Sequence, residues 1–183
     1  HAMRSFLWAL GLGLVGAGLV HIVIVLLVPV YADHNSWARV TALGAENQFH
    51  LLDQAGPADQ RRETDPLLLR AACPFDLDNG PVRVFATGSV PFWSLSVFGR
   101  NGENVYSLND RSSVDRRLDL VLAQPLQRIE LEKSSVAQKT DSIVAELDIH
   151  KGFVVVRAFV PDESWRPIVT SFLHDAACAV TEP

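Results

Sequence analysis

The sequence predicts an α+β protein: an N-terminal transmembrane helix, then a mainly antiparallel β domain with a terminal helix. Three observations predict it. Phe6 to Val28 is a run of 23 residues with no charge and one polar side chain, His21. Between Val82 and Val160 lie short β-rich runs separated by turn residues, the first of them, Val82–Thr87, alternating. After Pro161 the apolar spacing becomes helical, with Trp165, Ile168, Val169 and Phe172 on one face.

The chain has 183 residues, which is room for one domain plus an anchor. Its 48% hydrophobic and 20% charged composition is that of a folded protein. His1-Ala2 precede Met3 and are read as a remnant of cloning, outside the fold. Residues 3–31 are then the signal anchor, 32–66 a juxtamembrane helix and linker, and 67–183 the β-rich domain.

At about 1.5 Å per residue the apolar run reaches roughly 35 Å, enough to cross a bilayer core. Pro29 is the expected end of that helix, because a helix interior tolerates proline poorly. Trp8 and Tyr31 stand near its two ends, where aromatic rings favour the lipid–water boundary. Arg4, on the short side, predicts a cytoplasmic N-terminus and an exported remainder. Val30-Tyr31-Ala32 has the small residues of a signal-peptide cleavage site, but the apolar run is longer than a signal core, so an uncleaved anchor is the expectation. Ala9, Gly13, Gly16, Ala17 and His21 share one helix face. They fit a helix–helix interface with a polar element, and equally a lone anchor of ordinary membrane composition.

Residues 32–183 carry 15 bases against 21 acids, a net charge of −6, which argues against a nucleic-acid partner. Asn35 to Gly44 places Trp37, Val40 and Leu43 at helical spacing, a short helix continuing from the membrane. Asp53 to Pro66 reads as an exposed linker. Strands are expected at Val82–Thr87, Phe92–Phe98, Asn104–Leu108, Ile129–Glu132, Ile143–Leu147 and Phe153–Val160. Asn101-Gly102 and Asp148–Gly152 are the hairpin turns, and Asp162 or Ser164 caps the last helix.

Cys73 and Cys178 flank this β region, just before its first expected strand and just after the last helix. In an exported domain they can form a disulfide closing a loop of about 105 residues, stabilising by about 4–5 kcal/mol. The other reading is two buried thiols.

Several stretches together resemble known proteins: His21 to Pro29 running into Asp33–Arg39, Ala72-Cys73-Pro74-Phe75-Asp76-Leu77, Gly80-Pro81-Val82-Arg83-Val84, and Pro91 to Ser113. The chain resembles the uncharacterised-domain families numbered 1254 and 1214, in particular their short single-anchor members from alphaproteobacteria. The most specific part is Phe92-Trp93-Ser94 followed by Tyr106-Ser107-Leu108-Asn109-Asp110-Arg111. The resemblance implies a sandwich or jelly-roll-like β domain facing the periplasm from the inner membrane. It implies no activity, and the chain is too short for the two domains of the longer members.

Catalytic templates are missing from the sequence. There is no GxSxG elbow, no HExxH or HxH pair, no P-loop and no CxxC, and His34, His50, His150 and His174 are scattered singly. No cofactor or metal is implied. The candidate site is Trp93, Tyr106, Asn109, Asp110 and Arg111, with Asp115, Arg116 and Arg117 beyond. One reading is a pocket where an arginine grips an anionic group beside an aromatic wall. The other is an Asp–Arg pair and an Asn turn locking the hairpin exit, with Trp93 in the core.

Two function classes follow. The first is a non-enzymatic accessory subunit, partnered with the bilayer and with a membrane or periplasmic protein, or self-associating through its helix. The second is a small-molecule or glycan binding domain, with hydrolysis of its ligand as a further activity. A pocket at Trp93 favours the second; a filled core there favours the first.

Overall fold

The computed structural model of the chain describes residues 2–52, 65–133 and 142–181. Most of the expected linker lies outside them. Helix α1 (Ala2–Thr41) is unbroken. One segment of it, Ala2–Val28, is long and apolar enough to cross a membrane. Pro29 does not end the helix, contrary to expectation. Helices at membrane depth accommodate proline where neighbouring groups re-satisfy the freed carbonyl. Beyond it Trp37 and Val40 anchor the last turns by packing on the β domain.

The domain is two sheets face to face. The first has strand order β1-β2-β8-β4-β5, all antiparallel: β1 (His50–Leu51), β2 (Leu68–Asp76), β8 (Lys151–Phe159), β4 (Trp93–Gly99) and β5 (Asn104–Asn109). The second has the order β7-β6-β3-β9: β3 (Val82–Ala86), β6 (Leu118–Ala123), β7 (Ile143–Glu146) and β9 (Ala177–Val180).

Successive side chains of a strand point to opposite faces, so every second residue enters the core. Cys73, Phe75, Leu95, Val97, Val154 and Val156 enter from the first sheet. Val82, Val84, Leu118, Leu120, Leu122 and Cys178 meet them from the second. Each fully buried side chain of this kind contributes roughly 1.5–3 kcal/mol. Cys73 and Cys178 are joined, with Cα atoms 6.6 Å apart, so the disulfide ties the inner face of β2 to that of β9. Both cysteines lie within strands rather than outside the β region.

The expected strand at Ile129–Glu132 is instead part of helix α2 (Pro125–Lys133). Four residues alternating apolar and acidic satisfy a period of 2, but Pro125 opens a helix well and Arg128–Glu132 is an i,i+4 ion pair. Leu131 packs on Val121 and Ala123, the outer face of β6. This helix makes the crossover that a parallel β6–β7 pair requires. Asp148–Gly152 is not a hairpin turn, because β7 and β8 belong to different sheets; the segment crosses between them.

Helix α3 (Arg166–His174) follows Pro161 as expected and buries Val169, Phe172 and Leu173. Ile168 is not on that face and is exposed. Neither expected cap is the N-cap: Trp165 holds that position, and Asp162 instead accepts from the Ser164 backbone N–H (2.8 Å) in the turn before it. The chain then adds β9 to the second sheet.

Candidate functional site

The β4–β5 hairpin places the residues that sequence reasoning singled out. Gly102, at φ 80°, makes the turn. The Gly99 N–H donates to Glu103 O (2.9 Å) and closes it. Register then separates two of the candidates. Tyr106 lies opposite Val97, whereas the Asp110 N–H donates to Trp93 O (3.2 Å). Four residue steps of strand, about 13 Å, separate Trp93 from Val97. Tyr106 therefore stands away from Trp93.

Asn109, Asp110 and Trp93 do meet, in a latch at the hairpin exit. Asn109 Oδ1 accepts from the backbone N–H groups of Arg111 (3.0 Å) and Ser112 (3.1 Å), an Asx turn. Asp110 is 2% exposed. Its Oδ2 accepts from Nε (3.2 Å) and Nη2 (2.5 Å) of Arg116. Trp93, also 2% exposed, donates its indole N–H to Arg116 O (3.0 Å). The partner is thus Arg116 and not Arg111, whose side chain is exposed. The reason is backbone geometry: Asp115 and Arg116 both adopt positive φ (52° and 58°), which folds the loop back over Asp110. Two consecutive non-glycine residues in that region cost about 1–3 kcal/mol each and persist only where tertiary contacts hold them. The buried Asp110 Oδ1 has no hydrogen-bond partner. Trp93 is a core residue beneath this loop, not the wall of an open pocket.

A second polar cluster, not anticipated from the sequence, holds the other end of the sandwich. His150 Nδ1 donates to Asp78 Oδ1 (2.6 Å), and Gln124 Nε2 reaches Asp78 Oδ1 and Ile149 O (both 3.3 Å). Gln127 Nε2 donates to Leu77 O (2.6 Å), and Lys151 pairs with Asp76 (2.9 Å). The His150 hydrogen bond holds the Asp78 carboxyl below its ordinary range, and Asp78 in turn raises the His150 pKa. His150 was visible in the sequence only as a lone histidine. Its partner is 72 residues away in the chain, and only the sheet-to-sheet crossing brings them together.

An open, mostly apolar cleft of about 380 Å³ lies between the β3–β4 loop and α3, lined by Thr87, Gly88, Ser89, Pro167, Ile168 and Phe172 among others. None of the sequence candidates lines it. On the anchor, a Cβ added at Gly13 or Gly16 meets nothing within 4 Å, so the small-residue face with Ala9, Ala17 and His21 stands bare. Among the described residues no group of three or more His, Cys, Asp or Glu is placed to hold a metal ion.

No family model matches the chain, and no curated protein aligns with it. Among solved structures it is similar to the VPA0106 protein of Vibrio parahaemolyticus, with a TM-score of 0.57, 11% identity, 82% of this chain covered and 35% of that one. An uncharacterised protein from Burkholderia cenocepacia matches at a TM-score of 0.42 and 13% identity, over 68% of this chain and 34% of that one. The chain thus spans about a third of the length of either. The first likeness shows a shared fold.

Proposed function

We propose that this chain is a bitopic inner-membrane protein whose periplasmic β domain is a non-enzymatic interaction module, held on a helical stalk and working as a subunit of an envelope or membrane complex. The observation that carries the reading is α1 itself. It continues without a break from the apolar segment to Thr41, and Trp37 and Val40 pack against Ala72, Phe153 and Val155 on the outer face of the first sheet. Anchor and domain are therefore joined by packing as well as by chain. The Cys73–Cys178 disulfide supports an oxidising compartment for the domain, and Arg4 supports a cytoplasmic N-terminus. The resemblance to families 1254 and 1214 supports the same placement through the β4–β5 hairpin. The division into anchor (3–31), juxtamembrane segment (32–66) and β domain (67–183) belongs to this reading.

The contact face in the membrane is the stripe of Ala9, Gly13, Gly16, Ala17 and His21, where close approach and one polar group favour a second helix. The small-molecule or glycan alternative at Trp93, Asp110 and Arg111 has less support, because Trp93 and Asp110 are buried beneath the latch. The test is recovery of the full-length protein from native membranes in mild detergent, beside a Gly13→Leu/His21→Leu variant. A stoichiometric membrane partner, or a second copy, that is lost in the variant is the expected result. Recovery of the protein alone in both cases overturns the reading.

A further inference from the structure

The way α1 lands on the first sheet decides which edge of the domain looks at the membrane. Just past its last turn, Gly44 lies against the His50 ring, and His50 stands opposite Ala72 where β1 pairs with β2. About two turns earlier Trp37 packs on Phe153 of β8, with ring centroids 6.4 Å apart. Phe153 in turn stacks on Phe98 of β4 (5.2 Å). The sheet order is β1-β2-β8-β4-β5. Followed from its C-terminus toward its N-terminus, α1 therefore crosses the strands from β1 toward β5.

Nine residue steps separate Trp37 from Val28, where the apolar segment ends. In a helix that is about 13 Å. From β8 to β5 is two strand spacings, about 10 Å. The end of the apolar segment therefore comes level with β5. That edge of the sandwich lies at the depth of the headgroups, which occupy roughly 5–8 Å on each side of the hydrocarbon core. The composition of β5 suits this place. Among the described residues it pairs only with β4, and its sequence, NVYSLN, carries no charge. Edge strands that face water are blunted by charged side chains, by proline or by very short length, and β5 has none of these. A register shift touches it only at its turn end, opposite Val97 and Phe98. Val105 and Tyr106 are partly exposed, and tyrosine is one of the two side chains that favour the lipid–water boundary. An edge strand also presents backbone N–H groups that its neighbour does not take, and phospholipid phosphate and ester oxygens accept them.

We propose that β5 is a lipid-contact edge: it rests in the phospholipid headgroup layer, with Tyr106 at the level of the interfacial aromatic rings and the edge N–H groups turned to phosphate and ester oxygens. This rests on the reading of α1 as a membrane anchor, and adds the surface on which the domain lies. An uncharged edge is also the part of an acidic domain that anionic headgroups repel least.

The test uses the full-length chain in nanodiscs of phosphatidylethanolamine and phosphatidylglycerol that carry a small share of a nickel-chelating lipid. A nitroxide is attached through Ser107→Cys, exposed on β5, or through Gln48→Cys, exposed just before β1 at the opposite edge. The Cys73–Cys178 bond is buried and takes no label. The nickel headgroup speeds the relaxation of nitroxides near it. The two edges are four strand spacings apart, about 19 Å, so the expected enhancement at Ser107→Cys exceeds that at Gln48→Cys by about tenfold or more. Asn104→Cys, also exposed on β5, serves where Ser107→Cys does not fold. A nitroxide at Leu19→Cys reads the anchor itself, by colliding with oxygen and not with an aqueous chelate. If Leu19→Cys is in the bilayer while Ser107→Cys and Gln48→Cys relax alike, the lipid-contact edge is overturned and the anchor stands. If Leu19→Cys meets the aqueous chelate, the membrane reading fails and the lipid-contact edge with it. Dipolar broadening between Ser107→Cys nitroxides assigns the edge to a second copy and also overturns the proposal.

Discussion

The two outer faces of the sandwich treat the same residue type in opposite ways. On the second sheet Arg83 makes a fork–fork pair with Asp119 (2.9 and 2.7 Å) and lies over the Phe85 ring at 5.0 Å. Its pKa is raised above the ordinary value, chiefly by the Asp119 hydrogen bond. On the first sheet Arg157 faces an arginine and a serine, and its pKa is lowered. Both side chains are arginines on β strands, partly exposed, with apolar neighbours. The difference is the partner: a carboxylate for Arg83 and, among the described residues, a neutral serine hydroxyl for Arg157. One arginine is held by an ion pair, the other by a single hydrogen bond.

The largest expected effect removes what holds the two faces together. Cys73→Ala/Cys178→Ala is expected to lower stability by about 4–5 kcal/mol, because the loop of 105 residues is no longer closed in the unfolded chain. Urea unfolding of the variant beside the oxidised parent measures it; equal midpoints contradict the disulfide as a weld. Next is the latch on the first sheet. Arg116→Ala leaves the Asp110 carboxylate buried and without its cation. The expected cost is about 2 kcal/mol, below the range for fully buried pairs because Arg116 is 67% exposed. Asp110→Asn should cost less than Arg116→Ala, and the reverse order breaks the account of Asp110 as the dependent partner.

The comparison itself is sharpened by parallel substitutions. Arg83→Met is expected to cost at most about 1 kcal/mol, the worth of a partly exposed pair. Arg157→Met is expected to cost less, because it gives up one hydrogen bond to a neutral hydroxyl rather than an ion pair. If the two variants melt alike, the faces do not differ in the way described. The smallest effect belongs to the far end of the sandwich. His150 is expected to titrate above its ordinary 6.5, and Asp78→Asn to bring it down toward that value. The raised histidine stabilises the fold below its unfolded pKa and loses this as pH rises through the folded value. Asp78, lowered, contributes above its ordinary 3.8 and loses this as pH falls through its folded value. Histidine NMR titration in the two proteins reads both outcomes.

The legible parts of this fold were those set by local pattern. The apolar anchor, the Asn101-Gly102 hairpin, the alternating β3, the β-rich runs of β4 and β8, and the helix after Pro161 were all readable from neighbours in sequence. β2 was not, although it is a central strand. Its Leu68–Asp76 run does not alternate, because α1 packs on its outer face, and it contains Pro74. Pro74 is tolerated there because β1 pairs only as far as Ala72, and past that point no strand among the described residues pairs with β2 on that side. The Pro74 carbonyl instead accepts from the Asn47 N–H (2.9 Å). At the candidate site the Asx turn was legible from Asn109 and its spacing. The choice of Arg116 over Arg111 was not, because it depends on left-handed backbone at two residues with no glycine to announce it. That Arg70 and Arg157 stand opposite each other needs the register between two strands far apart in sequence.

The uninterrupted α1 sets a rotational phase between bilayer and domain. Each helical residue turns the chain by about 100° and advances it by about 1.5 Å. The compass direction in which the Arg157 face looks around the membrane normal is therefore encoded by the number of residues between the small-residue stripe and Trp37. One alanine inserted after Pro29 swings that face about a quarter of a turn while barely changing its height. Three or four inserted together nearly restore its bearing and lift it by about one helical pitch. For a stalk of this kind, length modulo one turn decides which neighbours in the membrane plane the domain can face.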